Sequence, residues 1–129
     1  MFNFSTKKKI ETLLNIELNK DVKQIQYYSW QPSRDLLYCQ TYIYLRASEQ
    51  FLNEFIHHFD LSANSPHLPT NWQLPEGVQL NWWPKLDNTQ ECYANDFGYN
   101  GSMVMQRQNM EAFIIVIDSG HKSGTDGPW

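Results

Sequence analysis

Between Leu36 and Arg46 the chain alternates without interruption over eleven residues, a pattern that only a β-strand turns into two distinct faces. Leu37, Cys39, Thr41, Ile43 and Leu45 fall on one face; Tyr38, Gln40, Tyr42, Tyr44 and Arg46 fall on the other. The first face is aliphatic and is expected to carry the core. The second is a tyrosine ladder, expected to be either solvated or covered by something. Directly afterwards the period changes from that of a strand to that of a helix. Ser48 is a suitable N-cap, and Phe51, Leu52, Phe55, Ile56 and Phe59 make a narrow apolar stripe on a helix running to about Asp60. That stripe belongs across the aliphatic face of the strand.

The remaining elements follow from the same periodicities. A first helix is expected from Ser5 or Thr6 to about Asn15, with Ile10, Leu13, Leu14 and Leu18 at helical spacing and Lys7, Lys8 and Lys9 on its solvated side. The β-favouring Val22, Ile25, Tyr27, Tyr28 and Trp30 place a strand over residues 22–31, closed by a turn at Pro32, Ser33, Arg34 and Asp35. Pro66, Pro69 and Pro75 make residues 61–77 a loop. Val78 to Trp83 alternates as a strand and stops at Pro84, and Lys85 to Gly101 reads as a second long connection. Met103 to Gln108 and Glu111 to Asp118 are two further strands joined by a tight turn near Asn109. The run Phe113 to Ile117 is apolar on both faces, which places it centrally in the sheet. The order α-β-β-α-β-β-β predicts an α+β fold: a mainly antiparallel five-stranded sheet with two helices on one face. Residues 1–118 form a single domain in this reading, and residues 119–129 a mobile C-terminal tail.

At 129 residues the chain can bury about two-thirds of its unfolded surface, so a core forms without disulfide or metal staples. No apolar run approaches the roughly 20 residues of a transmembrane helix, and Lys7, Lys8 and Lys9 have no apolar stretch behind them that would make a signal peptide. Cys39 and Cys92 form no close-spaced pair, so reduced thiols and a reducing, cytoplasmic compartment are expected. The net charge of −4 is unevenly spread. Residues 1–46 carry seven Lys or Arg against four Asp or Glu, net +3, whereas residues 47–121 carry only Lys85 and Arg107 against nine carboxylates, net −7. Such an acidic body disfavours nucleic acid, whose binding depends on neutralising phosphates, and suits a basic protein partner.

Catalytic chemistry finds little purchase. His57 and His58 are adjacent on a helix, so their side chains diverge and do not converge on one metal. His67 and His121 lie in a loop and in the tail, and nothing in the spacing brings either to Cys92 as the base of a thiol nucleophile. Asp87, Glu91 and Asp96 share one connection, but not with the alternate acids and central glycine of a calcium loop. There is no glycine-rich phosphate loop, HExxH or GxSxG. The expectation is therefore no enzyme, no metal and no cofactor. The aromatic residues carry more information. Trp72, Trp83, Tyr93 and Tyr99 are interleaved with Asp87, Glu91 and Asp96, and these seven are the candidate partner-binding residues. Val78, Leu80 and Trp82 share one face of their expected strand, which puts Trp82 in the core and leaves Trp83 exposed as an interface anchor.

A first helix, then a sheet with the segment Trp82-Trp83-Pro84, aromatic loops, an acidic balance and a final hairpin: in size and style the chain resembles small bacterial immunity proteins of polymorphic toxin and contact-dependent inhibition systems. That resemblance implies a cytoplasmic protein that neutralises a toxin domain by covering a basic active cleft, such as that of a nuclease. Two other classes stay open on the residues: a small-molecule or carbohydrate binder using the tryptophans, and a small enzyme using carboxylates and His67.

Overall fold

The computed structural model describes residues 4–31, 39–69, 72–86, 90–97 and 101–118. It contains helix α1 (Phe4–Leu14), strands β1 (Val22–Trp30) and β2 (Cys39–Ala47), helix α2 (Glu49–His58), and strands β3 (Glu91–Asp96), β4 (Ser102–Gln108) and β5 (Glu111–Asp118). The strands form one antiparallel sheet in the order β1-β2-β5-β4-β3, with β5 at the centre. The expected α+β class and element order hold. The turn at residues 32–35, Leu36 to Tyr38 and the tail at 119–129 lie outside the described residues.

Both helices cover the same face. Ile10 and Leu14 of α1, together with Leu18 beyond it, meet Ile43 and Leu45 of β2, and Phe51, Leu52 and Phe55 of α2 complete the cluster over Met105 and Ile114. The caps of α2 explain its length. The Ser48 hydroxyl accepts from the Phe51 N–H at 3.1 Å. At the other end Asp60 enters the left-handed region at φ 52°. There the Leu61 N–H reaches the Ile56 carbonyl at 3.0 Å and the Asp60 N–H reaches that of His57 at 3.1 Å, a Schellman-type stop. Arg107 of β4 is buried beneath the first turns of α2, where its guanidinium donates to the Asn53 side chain and to the Asn109 carbonyl.

One strand is not where the periodicity put it. Val78 to Trp83 alternates but forms no ladder, because the chain turns twice within a few residues. The Val78 N–H bonds to the Pro75 carbonyl at 3.0 Å across Gly77, whose φ is +84°, and the Trp83 N–H bonds to the Leu80 carbonyl at 3.0 Å. The third strand is Glu91–Asp96 instead, inside the expected connection. Its sequence, ECYAND, is poor in β-branched residues. Pairing with β4 over six positions holds it in place.

The segment from Trp72 to Leu86 lies across the second face of the sheet. Trp72, Trp83 and Leu86 are buried there against Tyr42, Val104, Phe113 and Ile115. The tyrosine ladder of β2 is therefore covered, completely at Tyr42 and partly at Tyr44.

Each layer can be probed by one substitution. Phe55 is 3% exposed in the helix-facing cluster, so Phe55→Ala should lower unfolding free energy by about 3–5 kcal/mol in urea denaturation. At the rim of the opposite face the Tyr44 hydroxyl donates to Glu111 Oε2 at 2.5 Å. Burial, then the bond to the Glu111 carboxylate and its charge, push the Tyr44 phenol up to about 12. A phenol raised on folding adds stability in full below its unfolded value of about 10, and that contribution is lost as pH rises through the folded value. Tyr44→Phe should accordingly be about 1 kcal/mol less stable than wild type near neutral pH. Denaturation at several alkaline pH values should show the difference shrinking once pH rises past about 10.

Candidate functional site

The residues expected to form a partner-binding surface divide into two groups. Glu91, Tyr93 and Asp96 are brought together on the edge strand β3. Glu91 and Asp96 are exposed, and Tyr93 packs partly against the helix-facing cluster while its hydroxyl donates to Glu91 Oε1 at 2.7 Å. Burial and this acidic neighbour raise the Tyr93 phenol above its ordinary value, so it stays a neutral donor. Asp96 lies 3.7 Å from His67 Nε2 in the preceding loop. Asp87 and Tyr99 lie outside the described residues.

Trp72 and Trp83 belong to the other group, and neither is an exposed anchor: they are 2% and 8% accessible. The expected assignment of the tryptophan pair is reversed, with Trp83 in the core and Trp82 half-buried at its rim. Without a strand at 78–83 the alternation has no faces to sort, and the turn from Leu80 to Trp83 directs the second indole inward. Trp83 stands edge-on to Tyr42 and Phe113, with centroids 5.2 and 5.6 Å away. Its indole N–H donates to the Trp72 carbonyl at 3.1 Å, which satisfies the one polar atom of the ring inside an apolar layer.

The exposed chemistry of the acidic half comes from α2 and β3 together. Near its start, α2 approaches Arg107, which is paired in the sheet with Glu91. Past its end, Ser62 and Ala94 exchange two backbone hydrogen bonds of 3.0 Å, and the Asn95 amide donates to the Phe59 carbonyl at 3.0 Å. The helix thus runs alongside β3. Glu49, Glu54 and Asp60 of the helix region and Glu91 and Asp96 of the strand are all exposed, whereas Arg107 is buried. The three helix-side acids were counted in the charge of the acidic half but not singled out by spacing, because they share no motif. Knowing that α2 lies along β3 is what joins the two sets.

Among the described residues the titratable groups do not converge on a reaction centre. The Cys92 thiol points into the second face, donating to the Gln90 carbonyl at 3.3 Å and accepting from the Gln106 amide at 3.5 Å, while His67 faces Asp96 at the surface. Among the described residues no group of three His, Cys, Asp or Glu side chains could hold a metal ion. No helix among them is long and apolar enough to cross a membrane.

The burial of Trp83 makes it a stability residue. Trp83→Ala should cost about 3–5 kcal/mol by chemical denaturation, as truncating a core aromatic does, whereas Trp82→Ala should cost clearly less.

Comparison with protein-family models, with curated proteins and with solved structures returned no match.

Proposed function

We propose that this chain is a cytoplasmic binding protein that inhibits a basic protein partner by occlusion, in the manner of an immunity protein covering the cleft of a toxin domain. The observation that carries this reading is the excess of exposed acids on one side of the molecule. Glu49, Asp60, Glu91 and Asp96 are exposed along α2 and β3, while Arg107 is buried, 3.9 Å from Glu49 and bonded to Asn53 and the Asn109 carbonyl, and His67 lies 3.7 Å from Asp96. A surface of this kind steers a cationic partner into register and repels an anionic one. The size and style shared with immunity proteins supply the partner class.

A second reading rests on a separate observation. On the outer side of the Trp72 to Leu86 segment, half-buried Trp82 shares a shallow groove of about 610 Å³ with Leu74, Val78, Leu80 and the amides of Gln79 and Asn81. An indole beside amides is sugar-binding chemistry. The groove is open and shares no residue with the acidic strand, so the two readings separate by mutation.

Affinity capture from the native cell, followed by stopped-flow binding of the captured partner, tests the first reading. The partner should be basic, and its on-rate should fall about tenfold or more between low and high salt, because exposed charges are screened beyond about 8–10 Å at physiological ionic strength. Glu91→Lys combined with Asp96→Lys should slow association at low salt and leave folding stability close to wild type. A salt-independent on-rate, unchanged in the double variant, would move the interface off α2 and β3. Loss of binding only in Trp82→Ala would favour the groove.

A further inference from the structure

The two edges of the sheet are treated differently. The outer edge of β3 is closed at its middle by the Ser62 to Ala94 bridge and flanked by carboxylates, both devices that prevent further strand pairing. At the opposite edge β1 pairs with β2 along its length, and among the described residues no strand or bridge lies on its other side. Its protective features, a register shift between Val22 and Gln24 and the charge of Lys23, are confined to its first residues. From Ile25 to Trp30 it carries neither charge nor proline. Alternate backbone N–H and C=O groups of such a strand are directed outward and need partners.

The surroundings of this edge specify what would pair with it. On the helix side, α1 and Tyr27 enclose a groove of about 600 Å³ whose floor is Leu13 and Tyr27 and whose rim holds Lys8 and Lys9. The Lys9 ammonium stands 5.8 Å from the centroid of the Tyr27 ring. A second copy added antiparallel to β1 would bring its own lysines toward this cationic rim, which disfavours self-pairing. An extended segment with acidic side chains at alternate positions meets both requirements: its backbone completes the ladder and its carboxylates reach Lys8 and Lys9.

We propose that β1 is a strand-addition site for an acidic extended peptide segment, which docks as a sixth strand with its carboxylates against Lys8 and Lys9. The site lies at the opposite edge of the sheet from the acidic side formed by α2 and β3, so it is independent of the proposed inhibitory surface and either could fail alone.

The probe is a capped synthetic peptide of about eight residues alternating glutamate and valine, the length of an ordinary strand. Titration should show saturable binding, and hydrogen exchange should slow at the amides of residues 24–30. Lys8→Glu combined with Lys9→Glu, both at exposed positions, should weaken binding at least about tenfold while the circular dichroism spectrum is unchanged. Two versions of the peptide, N-methylated at the glutamate amides or at the valine amides, should differ: the one whose methyl groups face β1 should not bind, which tests backbone pairing without altering the protein. Equal binding of an alternating lysine and valine peptide, retention of binding by both N-methylated peptides, or protection appearing away from β1 would overturn the proposal. So would failure of the glutamate peptide to bind, or a concentration-dependent dimer that protects the β1 amides, which would give the edge to a second copy.

Discussion

A sheet whose central strand reads Phe113-Ile114-Ile115-Val116, all buried, has no wet face, and the rest of the molecule is arranged around that constraint. Ile114 and Val116 face the helices; Phe113 and Ile115 face the other way. An antiparallel sheet can leave one side to water when its residues alternate in polarity, but this one cannot. Two helices account for one layer. The other is made by an irregular segment, Trp72 to Leu86, and irregular backbone is difficult to bury because its polar groups lack a repeating pattern of partners. The contact between Trp83 and Trp72 helps resolve that difficulty. One indole N–H satisfies one backbone carbonyl, while the two rings bring large apolar areas to Tyr42 and its neighbours.

This arrangement decides which residues are left for recognition. Tryptophans at protein surfaces are natural interface anchors, yet here Trp72 and Trp83 are already used by the chain's own sheet. In the proposed function, recognition passes to charge and to backbone. Charge is concentrated along α2 and β3, where the acids are exposed and the arginine is not. Backbone is offered at β1, the edge without a closing bridge among the described residues. The polarity of the sequence, basic in its first third and acidic afterwards, thereby becomes a polarity of the sheet from one edge to the other.

Much of the fold was legible because its strongest elements obey their own periods. The alternation through Ile43 and Leu45, the phenylalanine stripe of α2 with its Ser48 cap, and the doubly apolar β5 each point to one structure, and together they fix the class and the central strand. Legibility failed where packing overrides local pattern. Val78, Leu80 and Trp82 alternate like a strand, but Gly77 and two successive turns make that stretch a covering layer. Glu91 to Asp96 lacks strand-favouring residues and is a strand because β4 offers a partner and Ser62 closes its outer side. The candidate site inherits the same division. Glu91, Tyr93 and Asp96 fall on one edge strand, whereas exposure of Trp83 was inferred from a strand that does not exist. The alignment of α2 with β3, which joins the acids, is a tertiary fact that no spacing in the chain encodes.

The claim that the Trp72 to Leu86 segment seals the second face is tested most directly by exchange of the indole protons in two-dimensional NMR. Trp83 Nε1–H is buried and bonded to the Trp72 carbonyl, so it should exchange only through global unfolding, at the rate of the slowest β5 amides. The half-buried Trp82 indole should exchange far faster in the same sample. A Trp83 indole proton that exchanges as fast as that of Trp82, under conditions where the β5 amides stay protected, would show that the segment opens on its own. Trp72 and Trp83 would then be free to meet a partner, which contradicts a recognition surface built from charge and backbone alone.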